Sequence, residues 1–497
     1  MKNRLLVRQS ETAWKQGARG ERVKSKVQRN RWAPIDSRGE EKEESMEARR
    51  PYWNMEIETK LNTPEMKELQ WPRLKKKLTD LYERAPFWKA RFEKAKIKPE
   101  DIRTWEDFTK GLPILTKEGF REYAVECGLN MDRILAGWMG DYAKQLRCIA
   151  ATSGTTGEPT PYPLTQEDLD VWTEYTARAL WRSGVYPGDK VLQAFGLSMF
   201  LAGVPLCMSL AEYGACAIPV GAEAGTERVL TYARLFRPTA MLCTPSFAEY
   251  MAEKAMEVLG AGVDSLNIKT IICGGEPGAG IPEIRRKIEG AYQARLFDMG
   301  AGLGCSCDYP EYQGMHWVGD DLAIMELVHQ ETHEPIPLED GATGLAVFTT
   351  LAGTVLLGIR QTLGDIMEVF TSPCPCGKTG FRYKVVGRTD DMLKVKGVMI
   401  YPPAVEGVIN RFVPRVTGEL RIVLDEPPPR VVPPLKLKVE YGEGVKEDEL
   451  ASLEKEIQDE MHSAIKIRPR ITWIPPQTLE RFLKKKKLIE KAYEAKK

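Results

Sequence analysis

The sequence predicts an α/β protein: a large domain built on a mostly parallel sheet covered by helices, then a small α+β domain of ferredoxin-like type. Three observations carry this. Apolar strands and helices alternate from about Asp189 to Leu296, the pattern of successive βαβ units. After Tyr401 the order becomes helix, strand, strand, helix, strand. At 497 residues the chain is also too long for one hydrophobic core.

Taken in order, residues 1–45 are rich in Arg, Lys, Glu and Gln with little apolar periodicity, a composition that cannot bury enough surface to order itself. A disordered extension over 1–50 is expected, with a basic arm for a partner as the other reading. Structure should begin near Pro51-Tyr52-Trp53-Asn54. Leu69 to Lys96 has helical spacing of Leu, Trp, Tyr and Phe, with Pro72 and Pro86 read as helix starts or breaks. Val191 to Ala211 carries no charge over a length that would span a bilayer. Gln193, Gly196, Ser198, Gly203, Pro205 and Ser209 interrupt it, so a strand, glycine turn, buried helix and second strand fit better than a membrane span. A further apolar strand runs from Thr239 to Cys243 and ends in a Thr244-Pro245-Ser246 turn. Near the carboxyl end, helices are expected at Ala404 to Phe412 and Glu447 to Ile465. Strands are expected at Glu419 to Asp425, Leu435 to Tyr441 and Arg470 to Ile474.

A formal net charge of +1, with 28% charged residues, gives no reason to expect nucleic acid as a partner. Ten unevenly spaced cysteines without a secretory apolar segment predict free thiols in a reducing cytoplasm. No membrane partner is expected, and a homodimer is left open.

The segment 151–160 concentrates small hydroxylated residues and glycines. Glycines permit tight bends, while backbone N–H groups and hydroxyls line a nest for anionic oxygens. Thr152, Ser153, Gly154, Thr155, Thr156 and Gly157 are therefore candidates to hold a nucleoside triphosphate. A Walker A loop does not fit, because no Gly-Lys-Ser/Thr follows the spacers; an ordinary linker is the other reading. After the apolar run Ile271-Ile272-Cys273, the turn Gly274-Gly275-Glu276-Pro277-Gly278 lets a flat ring lie against bare backbone. Asp365, after Leu363-Gly364, offers two oxygens to a pair of hydroxyls. Soft donors gather at Cys374-Pro375-Cys376 and at Cys305-Ser306-Cys307 with His316, which suits structural Zn²⁺. Cys307, His316, Cys374 and Cys376 are the chosen ligands, with Cys305 as substitute; free buried cysteines and a core histidine are the other reading.

Several of these stretches resemble motifs of the phenylacetate-CoA ligase family within the adenylate-forming (acyl-CoA synthetase) superfamily. They are Ser153-Gly154-Thr155-Thr156-Gly157, the turn 274–278, Leu363-Gly364-Asp365 and the run Gly387-Arg388-Thr389-Asp390-Asp391 through Gly397. The stretches Tyr82-Glu83-Arg84-Ala85-Pro86-Phe87-Trp88 and Leu112-Pro113-Ile114-Leu115-Thr116-Lys117 add to the likeness, which covers about Tyr52 to the carboxyl end. The resemblance implies an AMP-binding catalytic domain over 51–387 and a mobile C-terminal domain over 388–497. It implies that ATP activates a carboxylic acid to an acyl-adenylate, which is passed to coenzyme A, with Mg²⁺ as a further cofactor. Some members also carry a zinc near the acyl site.

By this likeness Thr152, Thr155 and Lys485 act on the reacting phosphate, the lysine register being set to within one position by the run 484–487. Ser153, Gly154, Thr156 and Gly157 hold phosphates; Gly274, Gly275, Glu276, Pro277, Asp298 and Met299 face the base. Asp365 takes the ribose, Arg388 the nucleotide, and Asp390 is the pivot. Phe195, Met199, Phe200, Gly300 and Ala301 line the acyl pocket, whose apolar character favours an aromatic or arylacetic acid; core packing is the other reading of the phenylalanines. Some positions depart from the pattern. Glu158 stands for the usual Lys, Met299 and Leu303 for the Tyr and Glu of Tyr-Gly-x-x-Glu, and Leu345 for the Glu of Thr-Gly-Glu. Gln361, Thr362 and Leu363 stand for Tyr, Arg and Thr, with Arg360 kept before them. The missing carboxylate leaves Mg²⁺ to Asp320, Asp321 or Glu326. The expected enzyme is an AMP-forming aryl-CoA ligase. The rivals are an adenylating enzyme with an amine or carrier-protein acceptor, and a zinc-stabilised nucleotide-binding protein with reduced catalysis.

Overall fold

The structure is a computed structural model that describes residues 51–151, 161–300, 302–354, 358–395, 398–481 and 486–494. The extension expected over 1–50 lies outside the described residues.

The chain enters through a helical layer. Helix Pro64–Arg84 runs straight past Pro72, so the break expected there does not occur. A proline removes one donor, and the 21-residue helix spreads that loss over many intact turns while Leu74, Leu78 and Leu81 bury against Trp88, Phe92 and Phe108. Pro86 does open a helix, Pro86–Ala95, at its first position, where the missing N–H costs nothing. After helix Trp105–Gly111 the backbone of Leu115 bonds to Arg360 and Thr362 at the edge of the main sheet, and Thr116 caps helix Lys117–Glu126. This joint brings Lys117 to Asp390.

Among the described residues the main sheet has twelve strands and two characters. One half is parallel, in the spatial order Cys216–Pro219, Lys190–Gln193, Ala240–Cys243, Thr270–Cys273, Arg295–Gly300. In chain order that is 2-1-3-4-5, a doubly wound arrangement whose ligand crevice lies beyond the carboxyl ends of the strands. The uncharged stretch after Val191 folds as expected: the strand, helix Val204–Tyr213 closed by left-handed Gly214, and a second parallel strand. Among the described residues no helix is long and apolar enough to cross a membrane.

At Arg295–Gly300 the sheet changes hand, because the next strand, Gly304–Ser306, turns straight back. Gly300 and Gly302 take positive φ there, and a side chain at Gly302 would meet Trp317 and Phe348. The antiparallel half continues through Met315–Trp317, Arg382–Arg388, Gln361–Phe370, Thr343–Thr350 and Ala323–Val328 to Pro335–Ile336.

The carboxyl-terminal elements agree with the sequence reading to within a few residues. Helices Pro402–Asn410 and Leu450–Ile465 cover a four-stranded sheet made by Val416–Leu424, Lys436–Tyr441, Arg470–Ile474 and Ile489–Lys491. Leu420, Ile422, Leu437, Val439, Leu453, Ile457 and Met461 fill the space between sheet and helices.

Candidate active site

The parallel strands deliver the predicted base-side residues to one edge. Gly274 follows strand Thr270–Cys273 and lies so close to the end of the next strand that a Cβ would collide with the Met299 carbonyl oxygen. Phe195, at the end of the first parallel strand, packs against the same point, and Gly275 adopts φ +83°. Glu276 accepts the Ser246 N–H through Oε1 and the Lys486 N–H through Oε2, each at 2.7 Å. Burial raises its carboxyl above the ordinary range despite these donors.

Asp298 is Cys273's register partner, is buried, and accepts the Tyr312 hydroxyl at 2.8 Å. Burial pushes its carboxyl up to about 6, although Tyr312 and Arg285 oppose the shift. Tyr312 was not foreseen: nothing in its local sequence marks it.

Asp365 and Arg388 occupy facing positions on adjacent antiparallel strands, and their side chains meet at 2.6 Å. Arg388 also donates to both oxygens of Asp390, at 3.0 and 3.3 Å, and to the Leu363 carbonyl. Lys117 donates to Asp390 Oδ2 at 2.9 Å from 273 positions away. Burial acts to raise Asp390, but Arg388 and Lys117 prevail and hold it at about 2. The candidates for ribose, nucleotide and pivot, Asp365, Arg388 and Asp390, are thus one charged chain. The sequence reading quoted Lys117 within a motif without giving it this role.

The acyl-pocket candidates are less uniform. Phe195 and Phe200 are half-buried, Met199 is exposed, and Gly300 has open space where a Cβ would stand. Ala301, the phosphate-loop residues Thr152, Ser153, Gly154, Thr155, Thr156 and Gly157, and Lys485 lie outside the described residues.

Leu303 and Leu345, at the positions of the absent glutamates, are both buried in apolar clusters. The three acidic substitutes are taken by the scaffold. Asp320 accepts from Asn62 and Gln70, Asp321 pairs with Arg178, and Glu326 pairs with Arg360. None of these partners belongs to the nucleotide loops, so this donor set does not fit a catalytic Mg²⁺ site.

The cysteine cluster closes around one point. The ligand atoms of Cys307, His316, Cys374 and Cys376 all lie within 4.8 Å of one another. Cys307 Sγ and Cys374 Sγ are 3.8 Å apart, and a tetrahedral Zn²⁺ with bonds of about 2.3 Å sets its sulfurs about 3.8 Å apart. His316 Nδ1 lies 2.9 Å from the Thr379 carbonyl, so Nδ1–H donates there and Nε2, 3.4 Å from Cys376 Sγ, is free to ligate. Hydrogen bonding from Cys307 and the nearness of His316 hold the Cys376 thiol well below the ordinary range. Cys305 is directed elsewhere, 3.4 Å from Ser183 Oγ. The donor set fits zinc.

Residues 397–491 match the model of the AMP-binding enzyme C-terminal domain. The chain is 30% identical over 442 residues to a phenylacetate-coenzyme A ligase of Thermus thermophilus, covering 85% of this chain and 95% of that protein. A crystal structure of 2-hydroxyisobutyryl-CoA ligase in the postadenylation state superposes with a TM-score of 0.80 at 25% identity, covering 90% of this chain and 94% of the other. The same ligase in the thioesterification state superposes at 0.62 and 26% identity, covering 89% and 93%.

Proposed function

The chain belongs to the phenylacetate-CoA ligase family of adenylate-forming enzymes, and on that premise we propose that it activates an aromatic or arylacetic acid with ATP and passes the acyl group to coenzyme A. It is an AMP-forming acid–thiol ligase. The Asp365–Arg388 pair is the observation that carries the site reading. It offers a carboxylate for ribose hydroxyls next to a cation for the nucleotide, on a strand that leads directly into the pivot.

In this reading the base lies against Gly274 and Gly275 and beside Met299, while 152–157 hold the phosphates and Lys485 approaches the α-phosphate. The acid's carboxylate attacks the α-phosphorus, and pyrophosphate leaves with the electron pair of the broken anhydride bond. Fixed donors at the phosphates stabilise the charge that develops. The small domain, residues 388–497, then turns about Asp390 and replaces one wall of the site. The thiol of coenzyme A attacks the acyl carbon, the thioester forms, and AMP departs. Phe195 and Phe200 supply the apolar wall that favours an aromatic acid.

Mg²⁺ is assigned no step, because Asp320, Asp321 and Glu326 are committed to the scaffold. Cys307, His316, Cys374 and Cys376 would hold a structural Zn²⁺, which would fasten three segments without entering the reaction. His316 fixes its ring through Thr379, whose hydroxyl donates to the Glu58 carbonyl, tying the cluster to the short helix Met55–Glu58.

Pyrophosphate release with benzoate, phenylacetate and indoleacetate tests the reading, followed by thioester detection when coenzyme A is added. Release followed by thioester supports it. Release without thioester points to another acceptor, and ATP binding without release for every acid points to a binding protein.

A further inference from the structure

Lys486 joins the two domains with two different parts of itself. Its backbone N–H donates to Glu276 Oε2, in the base-side loop of the large domain, at 2.7 Å. Its ammonium is held by three small-domain acceptors, Glu406 Oε1 at 2.9 Å, Glu419 Oε1 at 3.1 Å and the Gly418 carbonyl at 3.0 Å, with the Glu249 carboxylate of the large domain near enough to act on its charge. Three protons thus meet three acceptors, and the side chain is only 9% exposed. A lysine held this way is not available to a reacting phosphate.

A second tie lies five residues earlier. Arg481 pairs with Glu440 of the small domain at 2.7 Å and reaches Glu253 of the large domain at 3.5 Å. Arg481 and Lys486 flank the stretch in which the adenylation lysine is expected. Turning the small domain about Asp390 would break the contacts to Glu276 and Glu253. Those to Glu406, Glu419 and Glu440 would travel with the domain.

We propose that Lys486 is a positioning residue for adenylation. Its ammonium, trapped by Glu406 and Glu419, fixes the backbone at Lys486 so that the Lys486 N–H engages Glu276 and ties the small domain to the base-side loop. The proposal rests on the ligase reading above and deepens it. Burial of the Glu406 and Lys486 charges against each other keeps Lys486 fastened to the small domain, since neither ion can be left alone in so enclosed a place. The chain also matches the postadenylation form of the structural relative better than its thioesterification form, with TM-scores of 0.80 and 0.62.

The test uses the full chain and separates the half-reactions. Lys486→Met is expected to lower acid-dependent ATP–pyrophosphate exchange about tenfold, the scale of one lost charge-assisted tie. Thioester formation from supplied acyl-adenylate and coenzyme A should stay within about twofold, which also reports an intact fold. The double variant Glu406→Gln/Glu419→Gln should reproduce the loss, whereas a reacting lysine freed of its carboxylates would keep or gain exchange. Should Lys486→Met alone unfold, Lys486→Met/Glu406→Gln restores the charge balance and takes its place. A fluorescence distance between one label on each domain, with ATP bound, should lengthen in these variants. Equal loss in both half-reactions, unchanged exchange, or an unchanged distance would overturn the proposal. If the unaltered chain supports no exchange with any acid, the ligase reading has failed and the distance measurement alone decides the role of Lys486.

Discussion

Asp365 and Arg388 are Cα register partners on neighbouring antiparallel strands and close a 2.6 Å ion pair at the root of the small domain. Two residues along, Asp390 shares the same guanidinium and also takes Lys117. A nucleotide bound at Asp365 would therefore be sensed at the pivot through a single arginine. Asp365→Asn is expected to raise the KM for ATP by roughly 10- to 100-fold, because a hydrogen bond to a charged group contributes about 1.5–3 kcal/mol. The KM for the acid should change little. Steady-state pyrophosphate release measured against each substrate separates the two.

Gly274→Ala should damage base binding without removing any polar group. The added methyl meets the Met299 carbonyl, which is backbone and cannot swing aside. The loop must retreat, and the gap in which a flat ring would lie must widen. A rise in the ATP dissociation constant of at least about tenfold is expected from such a displacement. Calorimetric titration with ATP checks it, and unchanged affinity would remove the base from this loop.

The cysteine cluster predicts one zinc per chain by elemental analysis. Cys374→Ser or His316→Ala should release it and lower the melting temperature by at least about 5 °C, since metal binding free energy is folding free energy at a closed site. Cys305→Ser should retain the metal, because that thiol faces Ser183 rather than the cluster. Purified protein without zinc would contradict the assignment.

Asp298 gives stability a pH dependence of definite sign. Its folded value of about 6 lies above the ordinary value of about 3.9, so the folded chain binds a proton that the unfolded chain has released. Stability from this group is full below about pH 4 and is lost as the pH rises through 6, by about 3 kcal/mol. Asp298→Asn should flatten that part of the curve. Melting temperatures of variant and parent between pH 4 and 7 test it; identical slopes would count against the buried carboxylate.

Much of the candidate site was legible because the chemistry proposed for it needs unusual residues in short runs: paired glycines at 274, an aspartate at 365 before the candidate hinge run, C-x-C pairs with a nearby histidine. The small domain was legible because its strands and helices alternate with clean apolar periods. Tyr312 on Asp298, Lys117 on Asp390 and the Glu406–Lys486–Glu419 cluster were not, since each joins residues far apart in sequence through ordinary side chains. Pro72 misled for a related reason: tertiary packing of Leu74, Leu78 and Leu81 outweighs one lost helix hydrogen bond. The substitutes offered for the absent glutamates, Asp320, Asp321 and Glu326, failed in the same way, because their scaffold partners Gln70, Arg178 and Arg360 are invisible in a linear pattern.

The most direct measurement is a crystal structure with a nonhydrolysable acyl-adenylate analogue. The account predicts its ribose on Asp365, its base against Gly274 and Gly275, and its phosphate turned toward 152–157. An analogue bound with its adenosine away from Asp365 and Gly274 would contradict it.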